Sequence, residues 1–133
     1  MKDYKEILKQ LNKKAIINGD IPVSAIITYK NNIIAKEYNK KYKNKDPFAH
    51  AEILAIKKAS KYLNTPNLSD CVMYVSLYPC NMCKEVIKES KIKKVYYYTN
   101  KIKTINDKTE YIKLEDDNSH FSTELSTFFK EKR

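Results

Sequence analysis

The N-terminal part of the chain changes from a helical to a strand-like pattern of hydrophobic positions. Before the polar run Asn18-Gly19-Asp20, apolar side chains recur at helical spacing, at Tyr4, Ile7, Leu8, Leu11 and Ala15. Two β-rich runs follow at residues 22–29 and 33–38, and the polar stretch Lys30-Asn31-Asn32 separates them. The pattern predicts a helix followed by a hairpin of two antiparallel strands.

The middle of the chain predicts helices that alternate with strands. Residues 50–63 carry lysines on one helix face and apolar side chains on the other, at Ile53, Ile56, Ala59 and Leu63. Residues 72–77 are almost entirely apolar, as is typical of a strand in the middle of a sheet. A helix with Val86 and Ile87 on its inner face then leads to a strand at residues 95–98. This alternating order predicts an α/β domain in which helices cover a sheet.

The C-terminal part adds a fifth strand and a terminal helix to this prediction. The strand is predicted at residues 110–114, and the amphipathic helix follows from Phe121, Leu125, Phe128 and Phe129. Residues 99–109 are barely enough for a helical crossover between parallel strands, so we expect the fifth strand to pair in another way. The predicted fold is a three-layer α/β/α arrangement around a mixed sheet of about five strands.

Length and charge narrow the class of protein. A chain of 133 residues suits one compact domain, so residues 1–133 are predicted to form a single domain. The formal net charge of +10 favours a polyanionic partner such as RNA or DNA, although an AT-rich genome would also enrich lysine, asparagine and isoleucine. The sequence shows no N-terminal apolar segment and no apolar run of membrane-spanning length, which predicts a cytoplasmic protein without membrane contact.

Two cysteines and one histidine have the chemistry of a metal site. Cys80 and Cys83 are three positions apart, so both sulfurs would lie on one helix face, and a helix beginning at Cys80 would favour their thiolate forms. Cys71 has no partner cysteine for a second C-x-x-C pair, and we expect it to be a small buried thiol. Of the two histidines, His50 heads an apolar-rich helix, whereas His120 lies in a polar stretch and is expected to be solvated or to cap a helix. The predicted ligands are therefore His50, Cys80 and Cys83.

Three protein ligands suit a catalytic zinc, because the fourth position is then available to water. Glu52 is two positions from His50, so its side chain should diverge from the ligand set and act as the acid–base group. Alone, a C-x-x-C pair can be a redox pair or half of a structural zinc site, and an H-x-E pattern arises by chance. Together they match the zinc deaminase pattern, in which a glutamate moves protons from water to the ring nitrogen and the departing ammonia. Backbone amides near Ala51 and Cys80 are predicted to hold a substituent of the substrate.

Residues 21–95 resemble the cytidine deaminase-like superfamily, and specifically the bacterial tRNA-specific adenosine deaminases. The resemblance extends from the strand that begins Ile21-Pro22-Val23 through Asp46-Pro47 and Ala49-His50-Ala51-Glu52, and residues 125–130 resemble the family's terminal helix. It implies a homodimer with one zinc ion per subunit that converts the wobble adenosine of a tRNA to inosine. It also implies that Asn39 holds the target base and the terminal helix grips the anticodon arm. The substrate contacts it implies are Val23, Asn39, Ala51, Pro79, Phe128 and Lys130.

The chain departs from that family at three places. Tyr78 replaces a usual glutamate, Ser24 replaces a usual glycine, and Tyr98-Thr99-Asn100-Lys101 replaces Gly-Ala-Arg-Asp. These changes alter the predicted wall of the substrate site. They leave open a deaminase of free bases, nucleosides or nucleotides, of the cytosine, guanine or dCMP type. A catalytically silent zinc-binding subunit is a third alternative, although such a protein would not need Glu52.

Overall fold

The computed structural model describes residues 3–99 and 109–131. Five strands and five helices are present in these ranges, and a 3-10 turn at Asp117–Ser119 precedes the last helix. The strands are β1 (Ser24–Tyr29), β2 (Asn32–Tyr38), β3 (Cys71–Leu77), β4 (Lys94–Thr99) and β5 (Glu110–Lys113). The helices are α1 (Lys5–Ile17), α2 (Lys41–Asn44), α3 (Ala51–Leu63), α4 (Asn81–Ser90) and α5 (His120–Glu131).

The strands form one mixed sheet in the order β2-β1-β3-β4-β5. The β1–β2 hairpin is antiparallel, as predicted, and Lys30 and Asn31 make its tight turn with φ values of 50° and 66°. Strand β3 pairs antiparallel with β1 and parallel with β4. The long apolar run of β3 is therefore central in the sheet, as its sequence predicted.

The expectation for the fifth strand is wrong, because β5 pairs parallel with β4. Hydrogen bonds at both ends of the strand fix this register: the Glu110 N–H donates to the Lys93 carbonyl at 2.8 Å, and the Leu114 N–H donates to the Tyr97 carbonyl at 2.7 Å. The same register buries Tyr111 in the apolar layer beside Tyr78. The length of the connection before β5 therefore did not predict how this strand pairs. Burial of Tyr111 and the backbone hydrogen bonds at both ends favour the parallel arrangement.

Helices cover both faces of the sheet, which confirms the three-layer fold. On one face α3 and α4 bury a large apolar cluster with alternate strand residues such as Ala25, Ile27 and Met73. On the other face α1 and α5 pack against the intervening residues, including Ile26 and Tyr74. Since successive strand side chains point to opposite faces, one strand serves both layers. No helix in the described ranges combines the length and apolar character needed to cross a membrane.

The fold brings the starts of α3 and α4 together. Helix α4 follows the carboxyl end of β3 after a three-residue connection, and α3 begins after the loop that leaves β2. The two helices contact each other on the same face of the sheet. Their N-terminal ends carry the two halves of the motif that the sequence singled out, His50 and Glu52 on α3 and the cysteine pair on α4.

Candidate active site

The loop between β2 and α3 holds His50 in place. The Lys40 N–H donates to the Ala49 carbonyl at 2.9 Å and closes this loop at its base. Within the loop, the Phe48 N–H donates to the Asp46 carboxylate at 2.9 Å, a local side-chain turn that asparagine and aspartate favour. His50 is then the N-cap residue of α3, with extended backbone angles. Its imidazole is directed by a hydrogen-bonded loop and a helix start together.

The two cysteines are placed by the start of α4. The Tyr78 N–H donates to the Thr99 carbonyl at 3.1 Å and extends the β3–β4 pairing to the site. Cys80 is the N-cap residue of α4, and its carbonyl accepts the first helical hydrogen bond from the Lys84 N–H at 2.9 Å. Cys83 lies almost one turn further along and is fully buried. The three-residue spacing therefore puts both sulfurs on one face of the helix, as predicted.

The three predicted ligands meet at one point. His50 Nδ1 lies 3.8 Å from the sulfur of Cys80 and 3.4 Å from that of Cys83, and all three ligand atoms lie within 4.8 Å of one another. Zinc bonds of about 2.3 Å to sulfur and about 2.0 Å to nitrogen put atoms at neighbouring tetrahedral corners roughly 3.5–3.8 Å apart. The donor set and its spacing therefore fit one zinc ion. His120 lies on α5, outside this group.

The protonation states of the ligands have different causes. Burial lowers the pKa of His50, with a further contribution from the charge of Lys41, so the neutral imidazole that binds metal is favoured. Burial raises the pKa of the Cys83 thiol far above its ordinary value, and Glu52 and Cys80 raise it further. Ionisation of the two thiols by the helix start stays a prediction, and burial opposes it at Cys83. Its proton is lost together with metal binding, and metal affinity should depend on pH.

Glu52 lies beside the ligand set without belonging to it. It is the second residue of α3 and only 3% exposed, and its carboxylate lies near enough to Cys83 to raise the pKa of that thiol. It lines the same cavity as His50 and Cys80. A buried carboxylate that close to the metal ligands is placed to exchange protons with a bound substrate.

A cavity of about 380 Å³ opens over these residues. Its volume lies within the range of small-molecule sites. The floor is polar where Glu52, His50 and Cys80 are exposed to it, and helix α5 closes the opposite side. The remaining lining residues are Ile21, Val23, Asn39, Leu77, Tyr78, Thr99, Ser122, Leu125, Ser126 and Phe129.

Asn39 connects the end of β2 to the start of α3. The Ala51 N–H donates to Asn39 Oδ1 at 2.8 Å, and both groups are buried. This bond commits the side-chain carbonyl of Asn39 and leaves its NH₂ group as the donor that the amide can offer. The Ala51 N–H is committed to this bond as well, and its role in holding the substrate stays a prediction.

The other predicted substrate contacts divide into two groups. Val23 lines the cavity, whereas Pro79 is buried just behind it. Phe128 and Lys130 do not line it: Phe128 faces a separate groove between α1 and α5, and Lys130 is exposed near the end of α5. The cavity is lined by Phe129 instead, and this residue was missed. The signal was present in the sequence, because Phe129 is one helical turn from Leu125, on the same face.

Two departures from the family pattern have clear structural consequences. Ser24 is buried, and its hydroxyl donates to the Leu8 carbonyl at 3.1 Å, so it ties β1 to α1. Tyr78 fills the wall of the cavity and packs its ring 5.0 Å from the rings of Tyr97 and Tyr111, where a glutamate would place a charge. Lys84 lies 5.3 Å above the Tyr78 ring. Asn100 and Lys101 lie outside the described residues.

Several known proteins are similar to this chain. The family described as "Cytidine and deoxycytidylate deaminase zinc-binding region" matches residues 1–99. A tRNA-specific adenosine deaminase of Aquifex aeolicus is 47% identical over 85 residues, which are 64% of this chain and 56% of that protein. One of Buchnera aphidicola subsp. Baizongia pistaciae is 37% identical over 128 residues, which are 86% of this chain and 79% of that protein. The chain thus spans little more than half the length of the Aquifex protein.

Solved structures share the fold. One from work on A-to-I editing by tRNA:A34 deaminases has a TM-score of 0.79 and 23% identity, and the match covers 92% of this chain and 97% of that one. Guanine deaminase from Bacillus subtilis has a TM-score of 0.65 and 37% identity, and the match covers 72% of this chain and 64% of that one. At 23% identity, the first structure shows only that the three-layer fold is shared. At 37% identity, the guanine deaminase is also related to this chain in sequence.

Proposed function

We propose that this chain, which belongs to the cytidine and deoxycytidylate deaminase zinc-binding family, is a tRNA adenosine deaminase that hydrolyses the wobble adenosine to inosine and ammonia. One observation carries the proposal: a single cavity joins the zinc ligands His50 and Cys80 to the buried carboxylate of Glu52 and to Asn39. The names of the Aquifex and Buchnera relatives support the choice of adenosine in tRNA.

The residues of the cavity divide the chemistry between them. His50, Cys80 and Cys83 would hold zinc, which supplies Lewis acidity that makes water a better nucleophile near neutral pH. Glu52 accepts a proton from the attacking water and returns protons to the purine ring nitrogen and to the leaving amine. One water is consumed and one ammonia is released. Because Glu52 is buried against the ligands, it exchanges protons in a site with little bulk water.

The walls of the cavity suit an extruded base. Asn39 offers amide donors at one side, held in orientation by the bond from the Ala51 N–H. Leu125 and Phe129 on α5 offer apolar surface at the other side. Bases of an anticodon loop are unpaired, so one of them can enter such a pocket at small unstacking cost. Lys130 follows directly on α5 and would neutralise a phosphate outside the pocket.

The proposal includes the partners and the compartment. The net charge of +10 supports an RNA substrate bound with strong salt dependence. We further propose a cytoplasmic homodimer, on the basis of the family resemblance. Light scattering on the zinc-loaded protein tests the dimer, because it gives the mass of the particle in solution.

A paired substrate assay tests the proposed reaction. The zinc-loaded protein is incubated with tRNA transcripts that carry adenosine at the first anticodon position, and inosine is detected as an A-to-G change on sequencing. A transcript with guanosine at that position is the matched control. In parallel, ammonia release is measured with free adenosine, guanine, cytosine, cytidine and dCMP. The proposal predicts inosine at the first anticodon position of the adenosine-containing transcript. It is rejected if only the free bases, nucleosides or nucleotides react.

Guanine deamination is the second candidate function. The 37% identity to the guanine deaminase of Bacillus subtilis favours it. Free guanine would need no RNA-binding surface, so its turnover would be insensitive to salt in the range that weakens RNA binding. Release of ammonia from guanine without inosine formation in tRNA would establish this alternative.

A further inference from the structure

The loop between β2 and α3 carries two exposed aromatic rings. The loop covers residues 40–49, and Tyr42 and Phe48 within it are 69% and 61% exposed. Such rings offer a flat apolar surface on which a planar ligand can stack. The loop begins after Asn39 and ends before His50, and both of these residues line the cavity. Tyr42 is therefore three positions in the chain from one lining residue, and Phe48 is two positions from the other.

Hydrogen bonds hold this loop in a defined conformation. The Tyr42 N–H donates to both oxygens of Asp20 at 3.2 and 3.3 Å, which ties α2 to the segment before β1. The Asp46 N–H donates to the Lys41 carbonyl at 2.9 Å, and the His50 N–H donates to the Phe48 carbonyl at 2.8 Å. A fixed loop presents its rings at little entropic cost on binding.

The charges around the rings select the class of ligand. Lys41, Lys43 and Lys45 flank Tyr42 and Asn44 in the loop, whereas Lys40 is bound to Glu37. The acidic residue of the loop, Asp46, accepts a hydrogen bond within the loop. Exposed rings among positive charges are the combination that binds single-stranded nucleic acid, with bases stacked on the rings and phosphates beside the lysines. An acidic peptide would complement the charge of the lysines but would leave the two rings without a stacking partner.

We propose that Tyr42 and Phe48 form a stacking platform for the unpaired nucleotides that flank the target base of the RNA. This inference rests on the proposed function and adds a surface outside the cavity. The enzyme then binds an unpaired RNA loop at two places, with the target base in the cavity and the neighbouring bases stacked on the two rings. Stacking tolerates any base, so the platform selects unpaired RNA and not a particular sequence.

The test uses an anticodon stem-loop RNA with adenosine at the first anticodon position and 2-aminopurine at a neighbouring position. The zinc-loaded double variant Tyr42→Leu/Phe48→Leu is compared with the parent. The exchange variant Tyr42→Phe/Phe48→Tyr keeps both rings. The control is Tyr62→Leu, because Tyr62 is also 69% exposed and lies near the end of α3 remote from its active-site start.

Loss of stacking should weaken affinity by about tenfold for each ring. We expect the double variant to show a higher KM with an unchanged kcat at saturating RNA, and to lose the quenching of 2-aminopurine fluorescence that stacking causes. The exchange variant and Tyr62→Leu should behave as the parent does. Zinc content and the melting temperature should be the same in all variants, because both rings are exposed.

The outcomes separate this inference from the proposed function. Unchanged RNA affinity and quenching in the double variant, with inosine still formed, would overturn the platform and leave the reaction standing. Quenching that depends on the rings without inosine formation would support the platform and reject the reaction. If the double variant instead dissociates a dimer and keeps full RNA affinity per protomer, the rings form a contact between copies of the chain, and the platform is overturned.

Discussion

Glu52 combines burial with closeness to the zinc ligands. A carboxylate at the start of a helix is normally stabilised in its ionised form by the helix dipole. Here the carboxylate also lies beside the Cys83 thiol and raises the pKa of that thiol. The Glu52 side chain lines the cavity, so it is placed to contact a substrate bound there.

Replacing Glu52 with glutamine should remove catalysis and keep the metal. The amide has almost the same shape and cannot accept and return a proton, so the deamination rate should fall at least about a thousandfold. Single-turnover assays on stem-loop RNA measure the rate, and elemental analysis measures zinc. A variant that holds a full complement of zinc and retains a tenth of the parental rate would exclude Glu52 as the acid–base group.

The three cysteines provide a matched test of the metal site. Cys83→Ala removes a zinc ligand and should lower both zinc content and the melting temperature, because metal binding contributes to folding stability. Cys71→Ala is the control, since Cys71 is also buried but lies at the other end of β3. We expect the control to retain full zinc and to lose only about 1 kcal/mol of stability through lost packing. Equal zinc in the two variants contradicts the ligand assignment.

The sequence predicted the zinc ligands because their chemistry is restrictive. Few arrangements other than a metal site need Cys80 and Cys83 one turn apart with a histidine before a glutamate. The substrate-binding residues were harder to predict, because a family resemblance does not show which side of α5 faces the cavity. A rotation of about 100° per residue separates Phe128 from Phe129, and it decides which of them lines the cavity. The sequence also does not show hydrogen bonds within the protein, such as the bond that the Ala51 N–H donates to Asn39.

At the scale of elements, a buried glutamate with two lysine partners joins β2 to α3. Glu37 is buried on β2, and its carboxylate lies 2.8 Å from Lys40 Nζ and 2.9 Å from Lys58 Nζ on α3. Burial alone would raise the pKa of Glu37, but the hydrogen bonds and charges of the two lysines outweigh it and lower the pKa below its ordinary value. The contact fixes the base of the loop that leads to His50.

This contact predicts a pH-dependent stability. Because the folded-state pKa is lowered, the contribution is fully present above the ordinary glutamate pKa and is lost as the pH falls through the folded-state value. Glu37→Gln should therefore cost about 1–2 kcal/mol at neutral pH, a value reduced because Lys58 is half exposed. Denaturant unfolding of parent and variant across the acidic range checks this. A difference that stays constant down to strongly acidic pH would contradict the assignment.

Helix α5 closes the cavity with one of two adjacent aromatic residues. Phe129→Ala should raise KM for the RNA by about tenfold with little change in kcat, because it removes apolar surface from the cavity wall. Phe128→Ala is the matched variant, and we expect a smaller effect on KM because Phe128 faces the groove beside α1. Steady-state kinetics on stem-loop RNA decide between them. A larger effect at Phe128 would restore the assignment that the family resemblance implied.

At the scale of the whole molecule, hydrophobic pattern predicted most of the architecture. The five strands, the main helices and the three layers all followed from periodicity, because burial on one or both faces of an element leaves a clear signature. The pairing of β5 did not follow, since partner choice depends on the long-range packing of Tyr111 and on hydrogen bonds at both ends of the strand. The single domain over residues 1–133 stays a prediction.

The net charge of +10 is a property of the whole molecule and does not by itself identify a binding surface. An AT-rich genome would also enrich lysine, so the net charge supports RNA binding without locating it. We place the RNA at α5, which lines the cavity, and at the loop before His50, which connects two lining residues, Asn39 and His50. An RNA loop held between them would place one base over Glu52.

The most direct measurement is deamination of the stem-loop RNA in heavy-oxygen water, followed by nucleoside mass spectrometry. Hydrolysis at the cavity takes the new oxygen from solvent, so the zinc-loaded parent should form inosine that carries the heavy isotope, and the zinc-loaded Glu52→Gln variant should form none. Inosine without the heavy oxygen, or equal amounts of labelled inosine from both proteins, would contradict the account.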